Sequence, residues 1–126
     1  AILLGKFNNY KKELNLRIKA GEYYNYLFDK YKVRRLKTKK DRENIFAQYV
    51  VFHHKRESIL KSLKKEGIPT AIYYPKLISD QKAYFNSVDF PVSKRISKEI
   101  FSVPFSPYIS KKTQEKIVKL ISKITS

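Results

Sequence analysis

The chain contains no cysteine, no methionine and no tryptophan, and it has only three glycines and two histidines among 126 residues. Without cysteine it can form neither a disulfide framework nor a thiolate metal site. The glycines are scattered at positions 5, 21 and 67, which excludes a glycine-rich phosphate-binding loop. The two histidines, His53 and His54, are adjacent, and neighbours on a strand face opposite sides. We therefore expect surface histidines at a strand end and no shared metal ion.

Long apolar runs are lacking as well. The longest span four residues, such as Ala1–Leu4 and Tyr49–Phe52, whereas a transmembrane helix needs roughly 20. No secretion signal is recognisable, because Lys6 ends the first apolar run too early. We expect a cytoplasmic protein that does not enter a membrane. The missing methionine, together with a first helix that has no cap, predicts that the chain begins inside a longer reading frame.

Acidic residues are few, 11 against 28 lysines and arginines, so the formal net charge is +17. Such a field attracts polyanions and nucleotide phosphates. Combined with the basic run Arg34–Arg42 and with 14% aromatic residues, it makes a nucleic-acid-binding module one candidate function. The basic residues are nevertheless spread over nearly every predicted element and are not gathered on one recognition helix. Any binding of DNA is therefore expected to be weak and nonspecific.

Residues 1–32 have the periodicity of one long amphipathic helix. Apolar or small residues recur in steps of three and four, from Leu3 and Phe7 through Gly21 to Tyr31. At 1.5 Å per residue the helix is roughly 45 Å long, more than a domain of this size is wide, so we expect part of it to pack on something outside the chain. Gly21 on the apolar face predicts close approach to a neighbouring element.

The rest of the chain alternates between predicted strands and helices. Branched and aromatic runs predict the strands, three- and four-residue apolar spacing predicts the helices, and glycine and proline mark their ends. The predicted elements are a polar connector over Val33–Glu43, a strand over Asn44–His53, a helix over Lys55–Glu66 stopped by Gly67, a strand over Thr70–Tyr74, a loop over Lys76–Asn86, a helix over Val92–Glu99 opened by Pro91 with Val92 facing inward, a strand over Ile100–Val103, and a helix over Lys111–Ile124 capped by Ser110. This order fits both a parallel sheet with right-handed crossovers and antiparallel strands covered by helices.

One stretch carries more functional information than the others. It is Gly67–Lys76, with the sequence GIPTAIYYPK, followed by DQKAY at 80–84. A helix ends at the glycine, and an extended run then presents Tyr73 and Tyr74 against Pro75. Since neighbouring strand residues face opposite sides, one ring can pack inward while the other offers its hydroxyl to a ligand. The spacing alone favours a plain aromatic core strand, because ten tyrosines make such pairs common in this chain.

This stretch resembles the Gly-Ile…Thr…(His/Tyr)-Tyr-Pro strand and the Gln-x-Ala-Tyr segment of the sugar-nucleotide aminotransferases of the DegT/DnrJ/StrS family. Further segments resemble that family in the same order: AILLGKF at 1–7, RIKAGEYY at 17–24, FAQYV at 46–50, FPVS at 90–93 and IFSVPFSPY at 100–108. The resemblance implies an α+β fold with a small, mostly antiparallel three-stranded sheet covered by helices. Residues 1–32 would be an interdomain helix and 44–126 an α/β sandwich, together the C-terminal small domain of a fold-type I pyridoxal phosphate (PLP) transferase.

The resemblance also implies which residues meet the substrate. In the family the Tyr-Pro strand lines the sugar-nucleotide site, so Tyr74 is the best candidate contact. Tyr73 lies beside it, where histidine is more usual, and Lys76 can meet a phosphate or a carboxylate. Three weaker candidates, for which sheet packing or loop anchoring explains the residue equally well, are Gln48, Gln81 and Tyr84.

A complete enzyme of the family transfers an amino group, commonly from glutamate, to a keto-sugar nucleotide through a lysine–PLP Schiff base, and it acts as a homodimer. Its cofactor-binding segments precede the small domain. The resemblance thus implies PLP and an N-terminal PLP-binding domain in the parent protein, and neither a cofactor nor a catalytic residue in these 126 residues. Some relatives dehydrate their sugar instead. A truncated remnant acting only as an interaction domain is a further alternative.

Overall fold

The computed structural model describes residues 2–84 and 88–125 of the chain. Over these residues four α-helices surround a two-stranded antiparallel sheet, in the order α1 (Ile2–Lys30), β1 (Tyr49–Phe52), α2 (Arg56–Lys65), α3 (Pro91–Glu99), β2 (Ile100–Val103) and α4 (Lys111–Thr125). Two single-turn 3-10 helices, Ile78–Asp80 and Lys82–Tyr84, occupy the predicted loop, of which residues 85 and 86 lie outside the described part. The predicted α+β class is confirmed.

Helix α1 is almost as long as predicted, and its two halves have different surroundings. The C-terminal half enters the core through Tyr24, Leu27 and Phe28, each at most 2% exposed. Apolar side chains of the N-terminal half remain exposed: Leu3, Leu4, Phe7 and Tyr10. No helix of the described residues is both long enough and apolar enough to cross a membrane. Only half of α1 is therefore stabilised by tertiary packing within this chain.

Helices α1 and α2 end with the same backbone geometry, although one has a lysine where the other has glycine. After α2, Gly67 has φ +68°, and the N–H of Ile68 donates to the carbonyl of Leu63 at 2.9 Å. After α1, Lys32 has φ +54°, and the next N–H donates to the carbonyl of Phe28 at 2.9 Å. Both ends are Schellman motifs, in which glycine is the usual left-handed residue. Gly67 ends α2 as predicted, whereas Lys32 adopts a conformation that costs a non-glycine residue energy.

The strands β1 and β2 pair antiparallel, with Tyr49 opposite Val103 and Phe52 opposite Ile100. The predicted strand over Ile100–Val103 is confirmed, but β1 is shorter than the predicted 44–53. The chain turns before β1 because Phe46 adopts φ +50°. The carbonyl oxygen of Phe46 accepts a hydrogen bond from Arg17 of α1 at 3.0 Å, so it faces a side chain and not a neighbouring strand.

The prediction of a third strand over Thr70–Tyr74 is wrong. Only Ala71 joins the sheet, in a single bridge to Ser102 whose two N–H···O distances are 3.2 Å and 2.8 Å. Pro69 and Pro75 bracket the segment, and proline has no N–H to donate to a ladder. The segment therefore touches the sheet at one residue and then leaves it.

The core lies between the sheet, the C-terminal half of α1, and helices α2 and α4. Its most completely buried side chains are Tyr24, Phe28, Val51, Ile59, Leu63, Phe101, Ile117, Val118 and Ile121. Ser110 caps α4 as predicted, since its Oγ accepts the N–H of Thr113 at 3.0 Å. Val92 was expected to face inward and is 65% exposed. Helix α3 is held instead by Arg56, whose Nη1 donates to the carbonyl of Ser97 at 2.9 Å.

Gly21 lies where α1 meets the turn before β1. A β-carbon built on Gly21 would be 2.2 Å from Cδ2 of Phe46. The ring of Phe46 stacks in turn on Tyr49, with ring centroids 5.9 Å apart. The close approach predicted from the position of Gly21 is therefore present, and it fixes the turn that leads into the sheet.

Candidate substrate-binding site

The adjacent tyrosines Tyr73 and Tyr74 border two different clefts. Tyr73 lines a cleft of about 200 Å³, and Tyr74 lines a larger one of about 710 Å³. Neither ring packs inward, because the chain leaves the sheet directly after Ala71: the two side chains are 56% and 81% exposed. Both phenols are therefore accessible to a ligand.

The smaller cleft lies at the end of the sheet where β1 begins and β2 ends. It brings Tyr73 together with Gln48, two of the residues predicted to contact substrate. Its remaining lining residues are Ala47, Pro69, Thr70, Ala71, Ser102, Val103, Pro104 and Phe105. The two polar side chains thus border one cleft, and the Ala71–Ser102 bridge joins two of its lining residues.

The larger cleft brings Tyr74 together with Lys76. Its other walls come from the segment that follows Lys76 and from the start of α3: Leu77, Ile78, Ser79, Phe90 and Ser93. The lining is mostly apolar, with one phenol and one ammonium group. Such a mixture suits a ligand with an apolar or stacking face and a single anionic group.

Several lining residues were not among those predicted from the sequence. Leu77, Ile78 and Phe90 supply the apolar surface of the larger cleft, and Ile78 is 74% exposed. Exposed apolar residues beside a tyrosine pair are a signal of a binding surface. No sequence pattern predicted that Phe90, sixteen residues after Tyr74, lines the same cleft as Tyr74.

Gln81 does not line either cleft among the residues that the structure describes. The backbone N–H of Gln81 donates to the carbonyl of Ile78 at 3.0 Å, and its side chain is exposed. Tyr84 ends the second 3-10 turn, and its side chain lies outside the described residues. The structure therefore gathers four of the predicted substrate contacts into two pairs and leaves Gln81 apart.

One buried phenol holds part of the wall of the smaller cleft, and a second joins β1 to α1. The hydroxyl of Tyr24 donates to the carbonyl of Pro104 at 3.0 Å, and that of Tyr49 donates to Asn25 Oδ1 at 2.9 Å. Burial raises the pKa of both tyrosines well above the ordinary value, because an ionised phenolate would lose its hydration. Tyr24 therefore positions Pro104 at the cleft, and Tyr49 joins β1 to Asn25 of α1.

The two histidines lie at the opposite end of the sheet, with ring centroids 4.3 Å apart. They do not face opposite sides as predicted, because β1 ends at Phe52 and both residues follow it. Burial lowers the pKa of His53, and the adjacent His54 and Lys55 lower it further. In the part of the chain that the structure describes, no three His, Asp or Glu side chains are grouped so that they can hold a metal ion.

A match to a family model covers residues 1–122 and describes the DegT/DnrJ/EryC1/StrS aminotransferase family. The chain belongs to this family. It is 31% identical over 110 residues to a UDP-2-acetamido-2-deoxy-3-oxo-D-glucuronate aminotransferase of Pseudomonas aeruginosa, covering 86% of this chain and 31% of that protein. It is 32% identical over 85 residues to a dTDP-3-amino-3,6-dideoxy-alpha-D-galactopyranose transaminase of Aneurinibacillus thermoaerophilus, covering 66% of this chain and 23% of that protein.

The fold agrees with a solved member of the family. The crystal structure of a DegT DnrJ EryC1 StrS aminotransferase from Brucella abortus superposes with a TM-score of 0.86 at 29% identity, over 97% of this chain and 34% of that one. The chain thus spans about a third or less of the length of these relatives. The sequence-based assignment to the family is confirmed.

Proposed function

We propose that this chain is the C-terminal small domain of a cytoplasmic, PLP-dependent aminotransferase that moves an amino group from an amino acid, commonly glutamate, to a keto-sugar nucleotide. Within that enzyme the chain supplies substrate contacts and no catalytic residue. Membership of the family and the sugar-nucleotide aminotransferases among its relatives support this assignment. The same relatives favour transamination over sugar dehydration.

The observation that carries the proposal is the pair of clefts on either side of Tyr73 and Tyr74. Phenol hydroxyls donate to and accept from sugar hydroxyls, and an ammonium group such as that of Lys76 attracts a phosphate or carboxylate. A sugar nucleotide carries all these groups together with the apolar face of its base. We assign Tyr74 and Lys76 to the larger cleft as its principal contacts, Tyr73 and Gln48 to the smaller cleft, and Gln81 as an outer contact.

The exposed half of α1 supports an arrangement in which residues 1–32 connect to a preceding domain and 44–126 form the small domain. Leu3 and Phe7 are 83% and 73% exposed. Apolar side chains aligned on one helix face need a partner to be removed from water. We assign that partner to an N-terminal PLP-binding domain, in a parent enzyme that forms a homodimer.

The residues of this chain do not fit PLP themselves. A Schiff-base lysine is held in a desolvated pocket, where its pKa falls, but every lysine and every aspartate in residues 2–84 and 88–125 is exposed. We therefore derive no chemical step through the cofactor here. In the parent enzyme PLP would act as the electron sink for amino-group transfer.

The test uses the full-length enzyme that carries this chain. Tyr74→Phe removes one hydroxyl from the larger cleft and is expected to raise KM for the keto-sugar nucleotide about fivefold to tenfold, the equivalent of one lost hydrogen bond, with little change in thermal stability. Tyr26→Phe is the matched control, because Tyr26 is also exposed and lines neither cleft. An unchanged KM for Tyr74→Phe would remove this residue from the site.

A second measurement concerns the 126 residues alone. After incubation with PLP and removal of excess cofactor, the purified chain should show neither the absorbance of an internal Schiff base nor transaminase activity. A stoichiometric, borohydride-reducible Schiff base at one lysine would contradict the proposal that this chain contributes substrate contacts and no cofactor-binding residue.

A further inference from the structure

A third cleft, of about 220 Å³, lies at the end of the sheet remote from Gln48 and Tyr73. It forms where the turn after α1 meets the end of β1, the end of α3 and the last residues of α4. The residues that line it are Lys32, Val33, Arg34, Phe52, His53, His54, Glu99 and Thr125. Two permanently cationic side chains and two imidazoles therefore line one small cleft, whose only carboxylate among the described lining residues is Glu99.

The guanidinium of Arg34 stacks on an aromatic ring, and within residues 2–84 and 88–125 its N–H groups make no hydrogen bond. Its Cζ lies 4.2 Å from the centroid of the Phe52 ring, and Phe52 is itself buried in β1. A guanidinium stacked on an aromatic face keeps the N–H groups at its edge free, in the fork that matches an oxyanion. Among the contacts described for this chain, Arg34 has no carboxylate partner.

Lys32 is a lysine at a position whose backbone favours glycine. Its φ of +54° closes the Schellman turn after α1, and that conformation costs a residue with a β-carbon about 1 kcal/mol or more. Residues held in strained backbone conformations cluster at functional sites. Here the strained residue lines the cleft together with Arg34.

The imidazole of His53 has a defined tautomer when neutral. Its Nδ1 accepts the backbone N–H of Lys55 at 3.0 Å, so its hydrogen is on Nε2, which remains available as a donor. The charged groups around this ring are Lys32 and Arg34 from the turn, His54 and Lys55 beside it, and Glu99 from α3. The ammonium of Lys55 is directed to the carbonyl of Ile124 in α4, at 2.9 Å.

We propose that this cleft is a binding site for a phosphate-type oxyanion, held by the Arg34 fork, the Lys32 ammonium and the imidazole of His53. Its volume is below the roughly 300 Å³ at which pockets for drug-sized ligands begin. The occupant is therefore a free oxyanion or one phosphate group of a larger molecule whose remainder lies outside the cleft. This inference uses none of the residues assigned to the substrate clefts and does not depend on the proposed function.

The site has a pH dependence whose sign follows from its charges. Protonation of His53 places a hydrogen on Nδ1 and breaks the bond that this atom accepts from the Lys55 N–H. A bound dianion offsets that cost by stabilising the imidazolium, so binding and protonation favour each other. Affinity should consequently rise as the pH falls from 8 towards 5.5. Sulfate is the suitable probe, because it remains a dianion over this range, whereas phosphate changes its own charge near neutral pH.

The experiment is a sulfate titration of the 126-residue chain at constant ionic strength, followed through the imidazole C–H resonances. The chain has only two histidines, and both lie at the cleft, so the assignment is simple. Saturable shifts are expected, with an affinity at pH 6 several-fold higher than at pH 8. A linear shift without saturation, or the same affinity at both values, would overturn the proposal.

Matched variants separate a built site from the overall positive field. Arg34→Gln and Lys32→Asn should each weaken sulfate binding about tenfold, as expected for the loss of one charge-assisted contact, and asparagine tolerates the left-handed backbone at position 32. Glu99→Gln should strengthen binding. Lys40→Gln removes the same charge from the exposed connector and should change the affinity less than twofold. Equal losses in Lys40→Gln and Arg34→Gln would show nonspecific attraction and refute the site.

A final comparison identifies the source of the oxyanion. Inorganic pyrophosphate and a nucleoside diphosphate are titrated in parallel. If both shift the two imidazoles with similar affinity, the cleft recognises a phosphate group regardless of its carrier. If only the free anion binds, the occupant is a small inorganic ion. Failure of both, in a chain whose folded state is verified by its dispersed spectrum, would contradict the proposal.

Discussion

The ring of Phe46 occupies the space that a β-carbon on residue 21 would need. A β-carbon built on Gly21 would lie 2.2 Å from Cδ2 of Phe46. Gly21→Ala should therefore lower the free energy of unfolding by about 1–3 kcal/mol, as overpacking does, although alanine is the better helix former by about 1 kcal/mol. Gly5 is the matched control, because nothing lies within 4 Å of its built β-carbon. Gly5→Ala should leave stability unchanged or raise it, and urea unfolding measures both. Equal effects of the two substitutions would contradict the packing described.

The two Schellman ends permit a reciprocal test. Gly67→Ala forces a β-carbon into the left-handed region and should cost about 1 kcal/mol, whereas Lys32→Gly relieves the same strain and should add about as much. Nothing lies within 4 Å of the β-carbon position of Gly67, so crowding does not obscure the comparison. Thermal unfolding of both variants should move the midpoint in opposite directions. A loss of stability in Lys32→Gly would mean that the lysine side chain contributes more to the fold than its backbone costs.

Helices α1 and α4 are joined by polar contacts in addition to apolar packing. Gln114 is 1% exposed and donates from Nε2 to the carbonyl of Ala20 at 2.8 Å, while the hydroxyl of Tyr23 donates to Glu115 at 2.5 Å. The Tyr23 bond exists only while the phenol keeps its proton. The interface between the two helices therefore depends on pH in the alkaline range.

The hydrogen bond to Glu115, with burial as a smaller cause, raises the pKa of Tyr23 to about 12. A pKa raised on folding stabilises the folded state fully below the ordinary tyrosine value, and that stability disappears as the pH rises from about 10 to about 12. Burial of Tyr24 and Tyr49 acts in the same direction. The urea midpoint should fall over this range, and more gradually in Tyr23→Phe. An identical profile for the variant would show that Tyr23 does not contribute.

Some helices and strands were predicted accurately from the sequence, and others were not. The bounds of β2 and the ends of α2 and α4 were predicted closely, because Gly67, Ser110 and Pro104 are local stop and start signals. The segment Thr70–Tyr74 was wrongly predicted to be a strand, because strand formation also depends on whether the edge of a neighbouring strand is close enough to pair along its length. Only Ala71 reaches Ser102.

The candidate site shows the same division between local and distant information. The period of an extended chain predicts that Tyr73 and Tyr74 diverge, and they do line different clefts. The apolar wall that Phe90 adds beside Tyr74 depends on how the intervening chain folds back. No local pattern at Phe90 specifies that contact.

Over the whole molecule the charge of +17 is the dominant long-range feature. Four lysines lie on the exposed side of α4, at positions 112, 116, 119 and 123. Duplex DNA should bind this surface weakly, with an affinity that falls steeply with salt and does not depend on sequence. Fluorescence anisotropy with two unrelated duplexes at 50 mM and 200 mM salt provides the test. Binding that is sequence-selective and resists salt would instead favour a nucleic-acid-binding function.

The unequal surroundings of the two halves of α1 have a consequence for its dynamics. Amides around Tyr24 and Phe28 lie over the core and should exchange with deuterated solvent only through global unfolding. Near Leu4 and Phe7 the described residues provide no tertiary cover, so these amides should exchange through local fraying, orders of magnitude faster. A single continuous helix thus contains both the slowest and some of the fastest exchanging amides of the chain, and a partner docked on its first turns would abolish the difference.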